Sequence, residues 1–313
     1  MGAMKRSGEH KVPFRTSPML ATLVDDPFNE PNWIFEEKYD GVRMLAYKEG
    51  SQVELVSRNA INRTERYPAI AAAIKNLPPE TLVLDGEVVV FDAKDVSRFQ
   101  LLQQSKGTPK YAVFDCLYAN GEDLRKKPLS ERRVALERLV RAQPPLLLSA
   151  RLSDNGINAF VVANKRGLEG IIGKNLSSVY VPRRSADWLK VKVHQEDEFV
   201  IGGFTQPSGA RQHFGALLLG VYSKGRLQYV GKVGTGFTDR TLRELRGKFE
   251  HMERTASPFA AKVREPGATF VTPKLVAQVA YTEWTVDGKL RHPAFLGLRD
   301  DVNPREVHRA EAK

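Results

Sequence analysis

The chain has 313 residues, 42% of them hydrophobic and 27% charged, a balance that excludes large-scale disorder and a length that calls for two cores. No apolar run reaches the ~20 residues of a membrane helix. The charged start "MGAMKRSGEHKVPFR" lacks the apolar centre of a secretory signal and puts Arg6 where myristoylation requires Ser or Thr. One cysteine, Cys116, excludes an intramolecular disulfide or a Cys-based zinc cluster and fits a reducing, cytoplasmic setting; 48 Lys and Arg against 37 Asp and Glu give a net charge of +11, which favours a polyanionic partner, nucleic acid first.

From Trp33 to Arg58 the chain reads as three strands, "WIFEEKY", "RMLAYKEG" and "QVELVSR", with Gly41 and Gly50 at the turns. "YPAIAAAIKNL" reads as a short helix stopped by Pro78 and Pro79. "TLVLDGEVVVFD" and "KYAVFDCLY", rich in β-branched and aromatic residues, read as strands. "LSERRVALERLVRA" is an amphipathic helix with Ser130 as its N-cap, and "INAFVVANKRG" a second, with Lys165 and Arg166 in its last turn and Gly167 as its stop. Strands "EGIIGK" and "DWLKVKV" follow. Near Gln195 the character changes to short strands ("EFVIGGF", "GALLLGVY", "RLQYVGKV", "LVAQVAYTEW") around one helix, "TLRELRGKFEHM", the pattern of a small Greek-key barrel of OB type. The expected fold is α+β: residues 1–194, with a short basic tail, form a domain of antiparallel sheets and helices, and residues 195–313 an OB-fold β-barrel.

In "WLKVKV" the strand period puts Lys190 and Lys192 on one face and Leu189, Val191 and Val193 on the other. Aligned ammonium groups repel, so they point to an anion such as phosphate; a solvated edge strand guarded by lysines is the equally simple reading. The same period aligns Asp85 with Glu87, and Glu169 opens "EGIIGK". Carboxylates at strand ends among lysines suit a hard divalent cation shared with water and phosphate oxygens, though each alone reads as a solvated charge. Phe114 in "YAVFDCLY" is core by its surroundings, or a platform for a base. Lys38 in "EEKYDGVRML" is a charged turn residue or a nucleophile. Taken together they supply what covalent nucleotidyl transfer needs. A deprotonated amine attacks an α-phosphate, and cations neutralise the charge that develops.

In chain order these segments resemble the motifs of the covalent nucleotidyltransferase superfamily, which holds ATP-dependent DNA ligases, RNA ligases and mRNA-capping guanylyltransferases. "KYDGVR" resembles the nucleophile motif KxDGxR, "SRN" the motif that carries Arg58, and "DGE" the one whose glutamate, Glu87, contacts ribose or metal. "VFD" supplies the stacking Phe114, "EGIIGK" the metal-associated Glu169 and the further Lys174, and "WLKVK" the phosphate lysines. "RHPAFLGLRDD" resembles the final motif, in the OB domain. The detail is most similar to the ligase module of the bacterial end-joining ligase D group, in which the place of Glu36 contacts adenine.

The resemblance implies an adenylation domain over 1–194, ATP and Mg2+ or Mn2+ as cofactors, and sealing of nicked or broken duplex DNA through a lysyl-AMP and a DNA-adenylate. Lys38, Lys190 and Lys192 would be catalytic. Glu36, Lys38, Arg43, Arg58, Glu87, Phe114, Lys174, Lys190, Lys192 and Arg299 would bind ATP, Glu87 and Glu169 the metal, and Arg43 and Arg58 the DNA. A monomer with no membrane attachment, in the cytoplasm at the bacterial nucleoid, follows from the same likeness. One departure stands out: Val302 follows Arg299, Asp300 and Asp301 where the family usually has a lysine, so restoring it is expected to speed adenylation. An RNA ligase, a capping-type enzyme or a non-catalytic nucleic-acid-binding module are the alternatives.

Overall fold

The computed structural model describes residues 12–13, 15–140, 144–193, 195–207 and 212–309. The basic N-terminal tail, the Arg141–Ala142 end of one helical segment and His194 at the expected domain boundary lie outside them. The chain divides into two compact units, Met1–Val193 and His194–Lys313.

The first unit contains β1 (Leu20–Leu23), β2 (Trp33–Glu37), β3 (Val42–Glu49), β4 (Gln52–Ser57), α1 (Pro68–Lys75), β5 (Thr81–Val89), α2 (Phe99–Gln103) and β6 (Lys110–Ala119). It continues with β7 (Glu122–Asp123), α3 (Leu129–Leu139), β8 (Leu146–Leu148), β9 (Arg151–Ser153), α4 (Gly156–Arg166), β10 (Gly170–Asn175) and β11 (Arg184–Lys192). Two sheets result. One has the order β1-β11-β10-β2-β9, and the other β4-β3-β5-β6-β7, with β8 joined to β6.

Strand alternation sorts each residue to a face. On β2, Phe35 faces away from the second sheet, into a cluster with Ala159 and Ala163 of α4 and with Ile171 and Val191. On β3 and β5, Met44, Ala46, Leu82 and Leu84 pack outward with Ile70 and Ile74 of α1 and Leu136 of α3. The residues of opposite parity turn inward. Leu45, Tyr47, Val83 and Phe114 meet Trp188 of the other sheet in a cluster between the two layers. Glu36, Arg43, Asp85, Glu87, Lys174, Lys190 and Lys192 share the parity of these inward residues on their strands, so both sheets aim their charged groups at one interlayer space.

The helix from Leu129 begins two residues earlier than the Ser130 cap implied: its N-cap is Pro128, which offers no side-chain bond. Leu129 N–H and Ser130 N–H donate to the carbonyls of Ser178 and Leu176 (both 2.9 Å), so distant backbone meets the first donors of the helix. α4 ends as its sequence implies, at Gly167 in the left-handed conformation (φ 71°).

The second unit contains β12 (Glu196–Thr205), β13 (Leu217–Ser223), β14 (Arg226–Val233), α5 (Asp239–Glu250), β15 (Glu253–Arg254), β16 (Ala268–Ala280), β17 (Glu283–Trp284), β18 (Leu290–Arg291) and β19 (Ala294–Leu298). Its main sheet has the order β14-β13-β12-β16-β15, with β19 also on β16; among the described residues no further pairing closes it into a barrel. The strand read as "LVAQVAYTEW" is broken in two. After Ala280, Tyr281 N–H donates to the Gln195 carbonyl (2.8 Å) and Thr282 N–H to Arg291 (3.0 Å), so the chain changes partners and β17 pairs with β18. β16 also runs through Pro273, which falls where the register against β12 shifts and no ladder donor is required. The core of this unit holds Phe204 stacked on Phe249 (5.1 Å) and includes Val302. A lysine at 302 would have to enter that apolar cluster, so the departure in the final motif reflects packing as well as charge.

Candidate active site

The segment after β2 explains three residues of "KYDG" by three different contacts. Lys38 N–H donates to the Gly170 carbonyl (3.0 Å), which fixes the nucleophile candidate against β10. The Asp40 carboxylate accepts from Phe99 N–H at the start of α2 (2.9 Å), while Asp40 N–H donates to Ser97 Oγ (3.0 Å). Gly41 is required by space: a Cβ there would lie 2.3 Å from the Val88 carbonyl oxygen. Lys38 Nζ forms an ion pair with Glu169, which α4's glycine stop delivers to the head of β10. Lys190 and Lys192 on β11 pair with Ile172 and Gly170 of β10, so Lys192 stands across the strand from the residue that anchors Lys38.

Deeper between the sheets, three donors converge on Glu36, which is 1% exposed. Arg133 Nη1 reaches Oε1, and Ser149 Oγ (3.0 Å) and Lys174 Nζ (2.8 Å) reach Oε2. The Lys174 ammonium also lies 4.3 Å from the Phe114 ring centre and 4.4 Å from that of Trp188, favourable cation–π contacts. Burial pushes Lys174 well below the ordinary lysine value, against the opposing pull of the Asp115 charge.

Arg43 lies over the Phe114 ring at 4.4 Å and donates from Nε and Nη2 to Asp85 (2.6 and 2.7 Å) and from Nη2 to the Met19 carbonyl (3.2 Å). Tyr180 Oη donates to the same Asp85 carboxylate (2.6 Å). Burial disfavours the Arg43 charge, but Asp85 more than compensates and holds the guanidinium above its ordinary value. Glu87 stands opposite Arg43 in the β3–β5 register, and its charge adds to that effect.

The structure therefore forms two groups: Lys38 with Glu169, and Glu36, Lys174, Phe114 and Arg43 linked through shared contacts. It sets Glu87, Lys190 and Lys192 on the strands that carry them. Arg58 stands in the turn after β4, closed by Ala60 N–H to the Ser57 carbonyl (2.9 Å). Arg299 belongs to the second unit, where it pairs bidentately with Asp301 (2.8 and 2.8 Å) and reaches Gln278 Oε1 (3.3 Å).

Arg133, Ser149, Trp188 and Asp85 as the partner of Arg43 were not foreseen as site residues. In "SERRVALERL" two adjacent arginines look like the polar face of a helix, and no spacing links them to carboxylates on distant strands. Chemically, the site offers an amine beside a carboxylate, further lysines on the neighbouring strand, and an aromatic wall next to a fixed buried carboxylate. Phe114 itself is 7% exposed, with Arg43 and Lys174 against its ring.

Comparison with known proteins accords with this arrangement. The ATP dependent DNA ligase domain matches residues 18–192, and the ATP dependent DNA ligase C terminal region residues 210–302. The multifunctional non-homologous end joining protein LigD of Pseudomonas aeruginosa is 42% identical over 97% of this chain, and that of Mycolicibacterium smegmatis 38% identical over 93%. The chain spans only 38% and 39% of those two proteins. The SPbeta prophage-derived DNA ligase-like protein LigB of Bacillus subtilis, 30% identical, is matched over 90% of this chain and 98% of its own length. Among solved structures, a mycobacterial DNA ligase D complexed with ATP and MES superposes with a TM-score of 0.71 at 35% identity, covering 96% of this chain and 99% of that one. Two consecutive domains of one enzyme family, matched along nearly the whole length by sequence and by fold, place this chain in the ATP-dependent DNA ligase family.

Proposed function

We propose that this ligase seals 5′-phosphate/3′-hydroxyl nicks in duplex DNA, using ATP through a lysyl-AMP on Lys38. The observation that carries the reading is the placement of Lys38. Its backbone is pinned to β10, its amine lies on Glu169, and the paired lysines of β11 stand on the adjoining strand. Lys38 Nζ forms a bond to the α-phosphorus as the bond to pyrophosphate breaks; the adenylate then passes to the 5′-phosphate of the nick, and the 3′-hydroxyl displaces AMP. Each step is an in-line displacement at phosphorus, for which positioning and charge neutralisation are the protein's main contributions. Lys190 and Lys192 neutralise phosphate oxygens, Phe114 stacks on the base, and Glu36 accepts from its exocyclic amine. Among the described residues Arg43 engages Asp85 through Nε and Nη2, and Nη1 is the atom that meets ribose or phosphate. Arg58 meets phosphate, and Arg299 acts from the second unit on the leaving pyrophosphate.

Among the described residues no three His, Cys, Asp or Glu side chains are grouped to hold an ion. Glu169 and Glu87 fit a Mg2+ or Mn2+ held by one or two carboxylates together with phosphate oxygens. When bound, that ion supplies Lewis-acid neutralisation of phosphate charge.

The net charge of +11 supports backbone-dominated, salt-sensitive and largely sequence-independent DNA binding. No helix among the described residues is long and apolar enough to cross a membrane. We take it to act as a monomer in the cytoplasm at the nucleoid, in nick repair or end joining; of these, only end joining is named for the LigD relatives. Sealing assays on nicked DNA and nicked RNA, each with ATP and with GTP, test the reading. Sealing confined to nicked DNA with ATP is expected; preferential sealing of RNA, or equal use of GTP, would overturn it.

A further inference from the structure

A carboxylate has about four acceptor positions. Among the described residues three are taken on Glu36, one on Oε1 by Arg133 and two on Oε2 by Ser149 and Lys174. All three neighbours donate, so Glu36 functions here as an acceptor, and the position that remains lies on Oε1, the oxygen that Arg133 holds. The two purine bases differ at the corresponding edge, where adenine carries an amino donor and guanine a carbonyl acceptor. An acceptor fixed in place rewards the first and repels the second. A carboxylate free to turn would discriminate less, because its other oxygen or an intervening water could accommodate guanine.

Arg133 is itself held in place. The preceding residue, Arg132, is fully buried and forks onto Asp115 of β6 through Nε (2.8 Å) and Nη2 (2.9 Å), which locks α3 against the strand that carries Phe114. Within α3, Glu137 lies 3.6 Å from Arg133 Nε and steadies the guanidinium from its solvent side. The arginine thus joins α3 to the end of β2.

We propose that Arg133 is a positioning residue that fixes Glu36 Oε1 as the acceptor for the base amine and so sets the preference for ATP over GTP. This rests on the reading that Glu36 contacts the base. The test compares Arg133→Met, Arg133→Gln and Arg133→Lys with Glu36→Gln, measuring kcat and KM separately for lysyl-AMP and lysyl-GMP formation from labelled nucleotides. Losing one charged hydrogen bond to the reading group should reduce the ATP-over-GTP ratio about tenfold or more in Arg133→Met. The change should lie mainly in KM for ATP, with a shift in the same direction in Arg133→Gln and most of the ratio restored in Arg133→Lys. A purely structural role would lower use of both nucleotides alike and leave the ratio where it was. If Arg133→Met does not fold, Arg133→Gln decides by the same ratio. An unchanged ratio in the folded arginine variants, with a shifted one in Glu36→Gln, would remove Arg133 from base selection and leave the Glu36 reading intact. An unchanged ratio in Glu36→Gln as well would remove both.

Discussion

Arg132→Met is the substitution whose effect can be worked most fully from the structure. The native side chain is completely buried and makes four hydrogen bonds: Nε and Nη2 to Asp115 (2.8 and 2.9 Å), and Nη1 to the carbonyls of Lys127 (2.7 Å) and Ser178 (2.8 Å). Methionine fills much of the same volume and removes all four. Asp115 is then a carboxylate with no exposure and no cationic partner in that fork. Burial already pushes its carboxyl above the ordinary value, and the Arg132 charge is the principal force opposing that rise. Breaking a buried pair from one side costs about 3–5 kcal/mol, a large share of the roughly 5–15 kcal/mol that holds a domain folded. Removing both charges, in Arg132→Met/Asp115→Leu, leaves no isolated ion. The double variant should therefore be more stable than the sum of the two single losses by about 1–3 kcal/mol. Urea denaturation of the three variants and the parent provides the cycle. A single variant within about 1 kcal/mol of the parent, or losses that simply add, would show that the pair behaves like an exposed ion pair and refute the reasoning.

Other consequences follow at scattered positions. Burial pushes the Glu37 carboxyl from 4.5 up to about 7, against the lesser pull of Arg166, and Oε1 has no hydrogen-bond partner among the described residues. Because the fold keeps the proton while the unfolded chain loses it, stability falls as pH rises from 4.5 to about 7, by at most about 3 kcal/mol, and stays reduced above that. Glu37→Gln should stabilise the protein at about pH 8 and not at about pH 5; parallel pH profiles for variant and parent would contradict this. In Gly41→Ala the new Cβ would meet the Val88 oxygen at 2.3 Å and Val89 Cγ1 at 2.8 Å. Strand β3 must give way, at a cost of about 1–3 kcal/mol, and adduct formation on Lys38 should fall with the melting temperature. Val302→Lys should destabilise the second unit in a thermal melt without speeding adenylation, because position 302 is only 9% exposed within its core; faster adenylation at undiminished stability would revive a purely electrostatic view of the final motif.

Local signals made much of this legible. Strand period two on "WLKVKV" and "VLDGEVVV" aligned Lys190 with Lys192 and Asp85 with Glu87, and the same pairs share a face in β11 and β5. Gly167 announced the end of α4, and the change of texture near Gln195 falls beside the division between the two units. What escaped depends on long-range partners. Ser130 failed as a cap because Leu176 and Ser178, far along the chain, supply carbonyls to the helix start. Nothing in the sequence signals that Asp85 engages Arg43, with Tyr180 donating to the same carboxylate. Arg133 carries no local mark at all, since what distinguishes it from a solvated helix arginine is the depth at which Glu36 lies. Propensity and period find elements and faces, whereas buried ion pairs are set by how the faces meet.

The central claim is that Lys38 carries the adenylate. Incubation of Lys38→Ala with ATP labelled at the α-phosphate, followed by denaturation and detection of protein-bound label, tests it most directly. The parent should form an alkali-stable, acid-labile AMP adduct, and Lys38→Ala none, while the variant still seals a pre-adenylated nick weakly, because that step does not need the amine. An alkali-stable AMP adduct on Lys38→Ala would contradict the account.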